Sequence, residues 1–221
     1  VKFGGLLAGY SDETYEYTYG DAAWVAKAPA HKPAAGPGVT IYDSGRERVA
    51  LYQGLTSELW EWDGSDWSHV GPGLSPAKRG LAALTYDSDR KKVVIFGGAV
   101  ATPLLDTWEW DGASWNEKTP AGVSPPGSVY SAFVYDTVRK EAVLAPGGTG
   151  ETWVWNGLSW AKKNPATPYG GIIAGMAAAF DSVRGKMFLF GGEDEFSFPK
   201  VYLNDTWAWN GTDWAKVTTA S

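Results

Sequence analysis

Four Asp–Arg pairs are the first residues whose types and spacing could do chemistry: Asp43/Arg46, Asp87/Arg90, Asp136/Arg139 and Asp181/Arg184. A carboxylate beside a guanidinium reads as a charged dyad, fit to orient a polar ligand. Each pair, however, sits in the same string: YDSGR, YDSDR, YDTVR and FDSVR. Asp at that place suits a tight turn, because its side chain accepts from backbone N–H groups just downstream. Recurrence in one context makes these pairs turn chemistry. The Asp-Gly and Asn-Gly turns, such as Asp63-Gly64-Ser65-Asp66, resemble calcium loops only in passing. They lack the spaced carboxylates and the distal bidentate Glu of such a loop. His31 and His69 are the only histidines and stand at unrelated places, so no zinc site is expected.

With no Cys, thiolate metal sites, iron–sulfur clusters, Cys nucleophiles and disulfides are excluded, and the compartment stays open. No Ser/His/Asp arrangement is visible. The formal net charge is -6, and no basic run exceeds Arg90-Lys91-Lys92, so neither nucleic acid nor an anionic membrane surface is an expected partner. No apolar run approaches the roughly 20 residues that span a bilayer. The chain opens VKFGG without Met, which suggests a removed leader or a cut-out domain.

What must position any site is a repeat. The Asp of the dyad falls at 43, 87, 136 and 181, giving gaps of 44, 49 and 45 residues. A short apolar run ending in Gly occurs five times, as VKFGG, VALYQG, VVIFGG, AVLAPGG and MFLFGG. A Trp-rich string follows each run: WEWDGSDW, WEWDGASW, WVWNGLSW and WAWNGTDW, with YTYGDAAW as a degenerate first copy. These strings hold all 13 Trp. Each unit parses into four short strands: a small-residue strand, the Asp-x-x-Arg turn, an apolar strand, a strand carrying W-x-W, an Asp/Asn-Gly hairpin, and a last strand opening on Trp. One such sheet cannot bury both faces, so neighbouring sheets must sandwich the indoles.

The predicted fold is an all-β, five-bladed β-propeller of four-stranded antiparallel blades. It forms one domain over 1–221, with units at about 1–35, 36–78, 79–126, 127–170 and 171–221. The first blade lacks its innermost strand, an edge open to self-association.

The diglycine after the second strand, Leu203-Asn204-Asp205-Thr206-Trp207 and the later Trp214 resemble the kelch motif, and Leu105-Asp106-Thr107-Trp108 repeats it. The resemblance covers essentially the whole chain. Gln53-Gly54 departs from the diglycine, Tyr17 and Tyr19 stand where later units carry Trp, and the Arg that opens the first strand is present only as Arg79. Kelch propellers usually have more than five blades. The resemblance implies an interaction platform. Sugar mutarotases also occur among kelch-like proteins, while kelch-like copper oxidases need a Cys-linked Tyr that this chain cannot form.

Function is expected where the repeat breaks. The second-to-third-strand loops and the linkers between units should emerge on one face, with two long loops, Leu6 to Glu13 and Glu193 to Tyr202. The candidate ligand-binding residues there are Asp12, Arg79, Tyr130, Tyr169, Glu193, Asp194, Glu195 and Phe196, with Tyr10, His31 and Lys78 nearby. The expected function is a non-catalytic binding module for a protein or glycan ligand, with no cofactor. One alternative is a carbohydrate-active hydrolase or isomerase using Asp12, Asp194 and Glu195 as paired acids. Another is a propeller fragment that self-assembles.

Overall fold

The computed structural model describes residues 2–3, 10–18, 20, 23–71, 73–170, 173–194 and 197–218. Among them every regular element is a β-strand. Strands β1 (Lys2–Phe3), β2 (Thr14–Glu16) and β3 (Val25–Lys27) make a three-stranded sheet. Then come β4 (Gly38–Asp43), β5 (Arg48–Gln53), β6 (Glu58–Trp62) and β7 (Trp67–Val70). The third sheet is β8 (Ala83–Asp87), β9 (Lys92–Phe96), β10 (Thr107–Trp110) and β11 (Trp115–Glu117). The fourth is β12 (Ala132–Asp136), β13 (Glu141–Ala145), β14 (Thr152–Trp155) and β15 (Trp160–Lys163). The last region holds β16 (Ile173–Ala174), β17 (Ala177–Asp181), β18 (Lys186–Phe190), β19 (Glu193–Asp194), β20 (Val201–Tyr202), β21 (Thr206–Trp209) and β22 (Trp214–Lys216). Here β17, β18, β21 and β22 form a four-stranded antiparallel sheet, and β16, β19 and β20 a small separate one.

The sheets stand side by side. Strand β4 contacts β8, β8 contacts β12, and β12 contacts β17. Strands β8 and β12 have a neighbour on each side and are buried almost throughout, whereas β4 and β17 alternate exposed and half-buried residues. Alternation is what one covered face produces.

The Asp/Asn-Gly hairpins set Trp62 opposite Trp67, Trp110 opposite Trp115, Trp155 opposite Trp160 and Trp209 opposite Trp214. Their ring centroids lie 5.5, 5.7, 5.3 and 5.3 Å apart. Eight indoles thus fill the spaces between sheets, as the repeat required. Trp24, in the degenerate copy, is exposed and leans on Tyr17.

What the spacing did not reveal is a hydrogen-bond code between sheets. The last-strand Trp donates to a Thr of the preceding sheet: Trp67 to Thr14 at 2.8 Å, Trp160 to Thr107 at 2.9 Å, Trp214 to Thr152 at 2.9 Å. The second Trp of W-x-W donates to a Glu of the preceding sheet: Trp62 to Glu16 at 2.7 Å, Trp110 to Glu61 at 3.0 Å, Trp155 to Glu109 at 3.0 Å.

The dyads join this lattice. Asp43 Oδ1 accepts from the Gly45 and Arg46 amides at 3.0 and 3.1 Å, and Oδ2 from Arg46 Nε at 2.7 Å. Arg46 then reaches Glu61 at 2.9 Å, and Arg90 reaches Glu109 at 2.6 Å.

The Trp–Thr half of the code skips Trp115, opposite which Leu59 stands in the Thr position, and the Trp–Glu half fails at one place. Val154 stands where Glu61 and Glu109 stand in the sheets before, and the buried Trp209 indole N–H finds no acceptor. Arg139, lacking a glutamate, turns to the carbonyls of Gly185 and Asn210. Val154→Glu should restore both contacts and stabilise the fold by about 1 kcal/mol, since an unmet buried donor costs about 1–3 kcal/mol. A thermal melt checks it: the variant should unfold a few degrees higher, and a lower midpoint defeats the argument.

Candidate binding groove

Linkers cross the ends of the preceding sheets, and in the third unit also bridge to the loop after the second strand of their own sheet. Arg79 N donates to Gly54 O at 2.7 Å, Gly80 N to Ala99 O at 2.8 Å, Gly98 N to Ser128 O at 3.0 Å, and Gly148 N to Ile173 O at 3.0 Å. This crossing accounts for the diglycine. At Gly98, φ is +81° and a Cβ would lie 2.7 Å from the Gly80 carbonyl, so no side chain fits.

A groove of about 520 Å³ opens at the end of the last sheet. Its walls include Tyr130, Ala174, Gly175, Phe190, Glu193 and Tyr202. Three of these are aromatics turned to solvent: Tyr130 is 50% exposed, Phe190 54% and Tyr202 78%. A smaller hollow of about 300 Å³ adjoins across Ala174, floored by Gly127, Ser128, Gly147 and Gly148.

The long loop expected at 193–202 is built into a hairpin. Glu193 pairs with Tyr202 and Asp194 with Val201, and β16 joins through Ile173 and Ala174. Glu193 and Lys200 form an ion pair across it. Ser197 Oγ donates to Asp194 at 2.8 Å, and Leu203 N to Gly192 O at 2.9 Å.

Of the residues singled out in the sequence, Tyr130 and Glu193 line the groove, and Asp194 lies beside it. Glu195 and Phe196 lie outside the described residues. Asp12 belongs to the first sheet's loop and pairs with Lys32 at 2.6 Å; that hydrogen bond lowers its pKa.

Arg79 and Tyr169 are placed otherwise than a ligand-facing role requires. The Arg79 side chain is fully buried and holds Asp106 through two bonds of 2.6 and 2.7 Å. Its Nε and Nη1 also donate to Ala77 O and Gly97 O at 2.9 and 3.0 Å. Tyr169 is buried, packs edge-on against Trp214 with centroids 5.1 Å apart, and donates to Glu151 O at 3.1 Å. Both positions were assigned to the open face, but the crossing linkers fold their side chains inward.

Phe190 and Tyr202 line the groove unforeseen. MFLFGG reads like VVIFGG, yet Phe96 is buried between sheets where Phe190 is not. Tyr202 stands in the quoted loop, and its outward aspect depends on the hairpin register.

Every described carboxylate with a displaced pKa is displaced downward. Burial alone would raise Asp106, but hydrogen bonds from Arg79 and Trp108 outweigh it. Backbone N–H groups of the hairpin turns pull Asp63 and Asp111 down to about 2. None of these acids is poised to donate a proton near neutrality. Among the described residues no group of three or more His, Asp or Glu could hold a metal ion.

Repeated four-stranded antiparallel sheets packed side by side, with no helix among the described residues, define an all-β protein consistent with a β-propeller. No protein-family profile and no curated protein sequence matches the chain. Solved structures do match. YjhT superimposes with a TM-score of 0.74 at 12% identity, over 98% of this chain and 80% of its own. That likeness is one of fold.

Proposed function

We propose that the chain is a five-bladed, kelch-type propeller domain that binds a carbohydrate, without catalysis, in the groove beside Tyr130 and Tyr202. Five runs ending in Gly and five Trp-strings support the blade count. The observation that carries the function is the set of three exposed aromatics around one concavity with a carboxylate on its wall. Aromatic faces suit the C–H face of a pyranose, and Glu193 with the backbone at Gly191 and Gly192 offers acceptors to its hydroxyls. A concave pocket fits a small ring better than a flat protein surface does.

Glycan-array binding tests the reading, run on wild type, Tyr202→Ala and Glu193→Gln. Both variants should lose at least tenfold in affinity for any glycan retained, while melting like wild type. Retained glycans that bind the variants equally well would move the site elsewhere. A glycosidase panel run alongside would restore the enzyme reading if turnover appeared and Asp194→Asn abolished it.

A further inference from the structure

The groove owes its opening to one position in the repeat. Six residues before the turn Asp of successive units stand Leu81, Tyr130 and Gly175, counted from Asp87, Asp136 and Asp181. All three have left-handed backbone, with φ of +59°, +54° and +70°. The linker crossing imposes this conformation, and Gly175 N donates to Tyr130 O at 3.1 Å within it. Glycine is the relaxed choice there, and a branched or bulky residue is strained. Yet two units place large side chains at this point, and both are about half exposed: Leu81 47% and Tyr130 50%.

Backbone freedom therefore does not explain Gly175, because its counterparts do without it. Lack of room does not explain it either. A Cβ at Gly175 would meet no atom within 4 Å, whereas one at Gly192, on the same wall, would collide with Ile173. A side chain at 175 would be strained by its φ, as Leu81 and Tyr130 are, but it has room, and the space it would take is groove.

We infer that Gly175 is the specificity-determining residue of the groove: its absent side chain leaves the space a sugar ring occupies, and the strained Tyr130 is the wall the ring lies against. The inference rests on the carbohydrate reading above and adds to it the place of the ring. Gly175→Tyr reproduces what the preceding unit carries at the same φ, so it should close the groove and leave the sheets intact.

The test is an amide-resonance titration with methyl β-glucoside, methyl β-galactoside and N-acetylglucosamine as probes. Wild type should show shifts at Gly191, Gly192 and Tyr202 for at least one probe. Gly175→Tyr should weaken that probe at least tenfold, and Gly175→Ala about threefold, with resonance dispersion elsewhere unchanged. If the tyrosine variant does not fold, the alanine variant and Gly175→Ser carry the same graded expectation. Undiminished binding in the folded variants, with Tyr202→Ala impaired, overturns the role of Gly175 and leaves the groove as the site. No shift in wild type with any probe overturns the carbohydrate reading and this inference together.

Discussion

Glu109→Leu should lower the melting temperature by about 5–10 °C, corresponding to about 2–3 kcal/mol for a chain of this size. Glu109 is buried and serves two sheets at once. It accepts from Arg90 at 2.6 Å within its own sheet and from the Trp155 indole at 3.0 Å in the next. Leucine keeps nearly the same volume, so the loss is polar. It leaves a buried indole N–H unmet and the Arg90 guanidinium with Asp87 as its one remaining carboxylate, and removing one member of a buried pair typically costs about 3–5 kcal/mol. The lower figure applies here because the Arg90 side chain is 31% exposed and water can compensate part of the loss. The natural Val154 shows the same accommodation, where Arg139 turns to backbone carbonyls. Glu109→Gln retains an acceptor for Trp155 and should recover about half the loss. Calorimetric melts decide it: if Glu109→Leu unfolds within 2 °C of wild type by about the same conversion, the Trp–Glu contact is incidental to the stacking of the sheets.

The strand order and the indole layers were legible because they depend on local pattern. Asp63-Gly64 and its counterparts specify hairpins wherever they occur, and W-x-W alternation puts both rings on one face of one strand. The Trp–Glu and Trp–Thr bonds were not legible, although the Trp of each bond had been quoted. They join positions 46 to 62 apart, such as Glu109 with Trp155 and Thr152 with Trp214, and nothing in either string names the other as partner. The groove was half legible. Tyr130 and Glu193 were marked by their departure from the repeat. Gly175 carried no such mark, since a glycine among 28 gives no sign until its φ is compared with those of Leu81 and Tyr130. Phe190 was hidden by conformity: its string matches that of buried Phe96, and only the uncovered side of β17 and β18 exposes it.

Arg79 tests the boundary between those two kinds of residue. The sequence offers it as a cation on the open face; the structure buries it under the linker that crosses Gly54. Arg79→Ala should therefore cost about 3–5 kcal/mol, lowering the melting temperature by about 10 °C or more. Three acceptors lose a donor at once: the Asp106 carboxylate, the Gly97 carbonyl and the Ala77 carbonyl, which keeps the Tyr52 hydroxyl at 3.2 Å. Asp106 is left with the Trp108 indole at 2.7 Å, too little to hold a half-buried charge. Lysine keeps the charge but not the planar fork, so Arg79→Lys should recover less than half of the loss. The two roles separate cleanly in one comparison. A structural Arg79 gives a variant that melts early and, below its transition, binds glycan like wild type. A ligand-facing Arg79 gives a variant that melts with wild type and binds weakly. The second outcome would require the guanidinium to leave Asp106 for the surface, against four hydrogen bonds and a fully desolvated stem, and that energetic imbalance is why the first is expected.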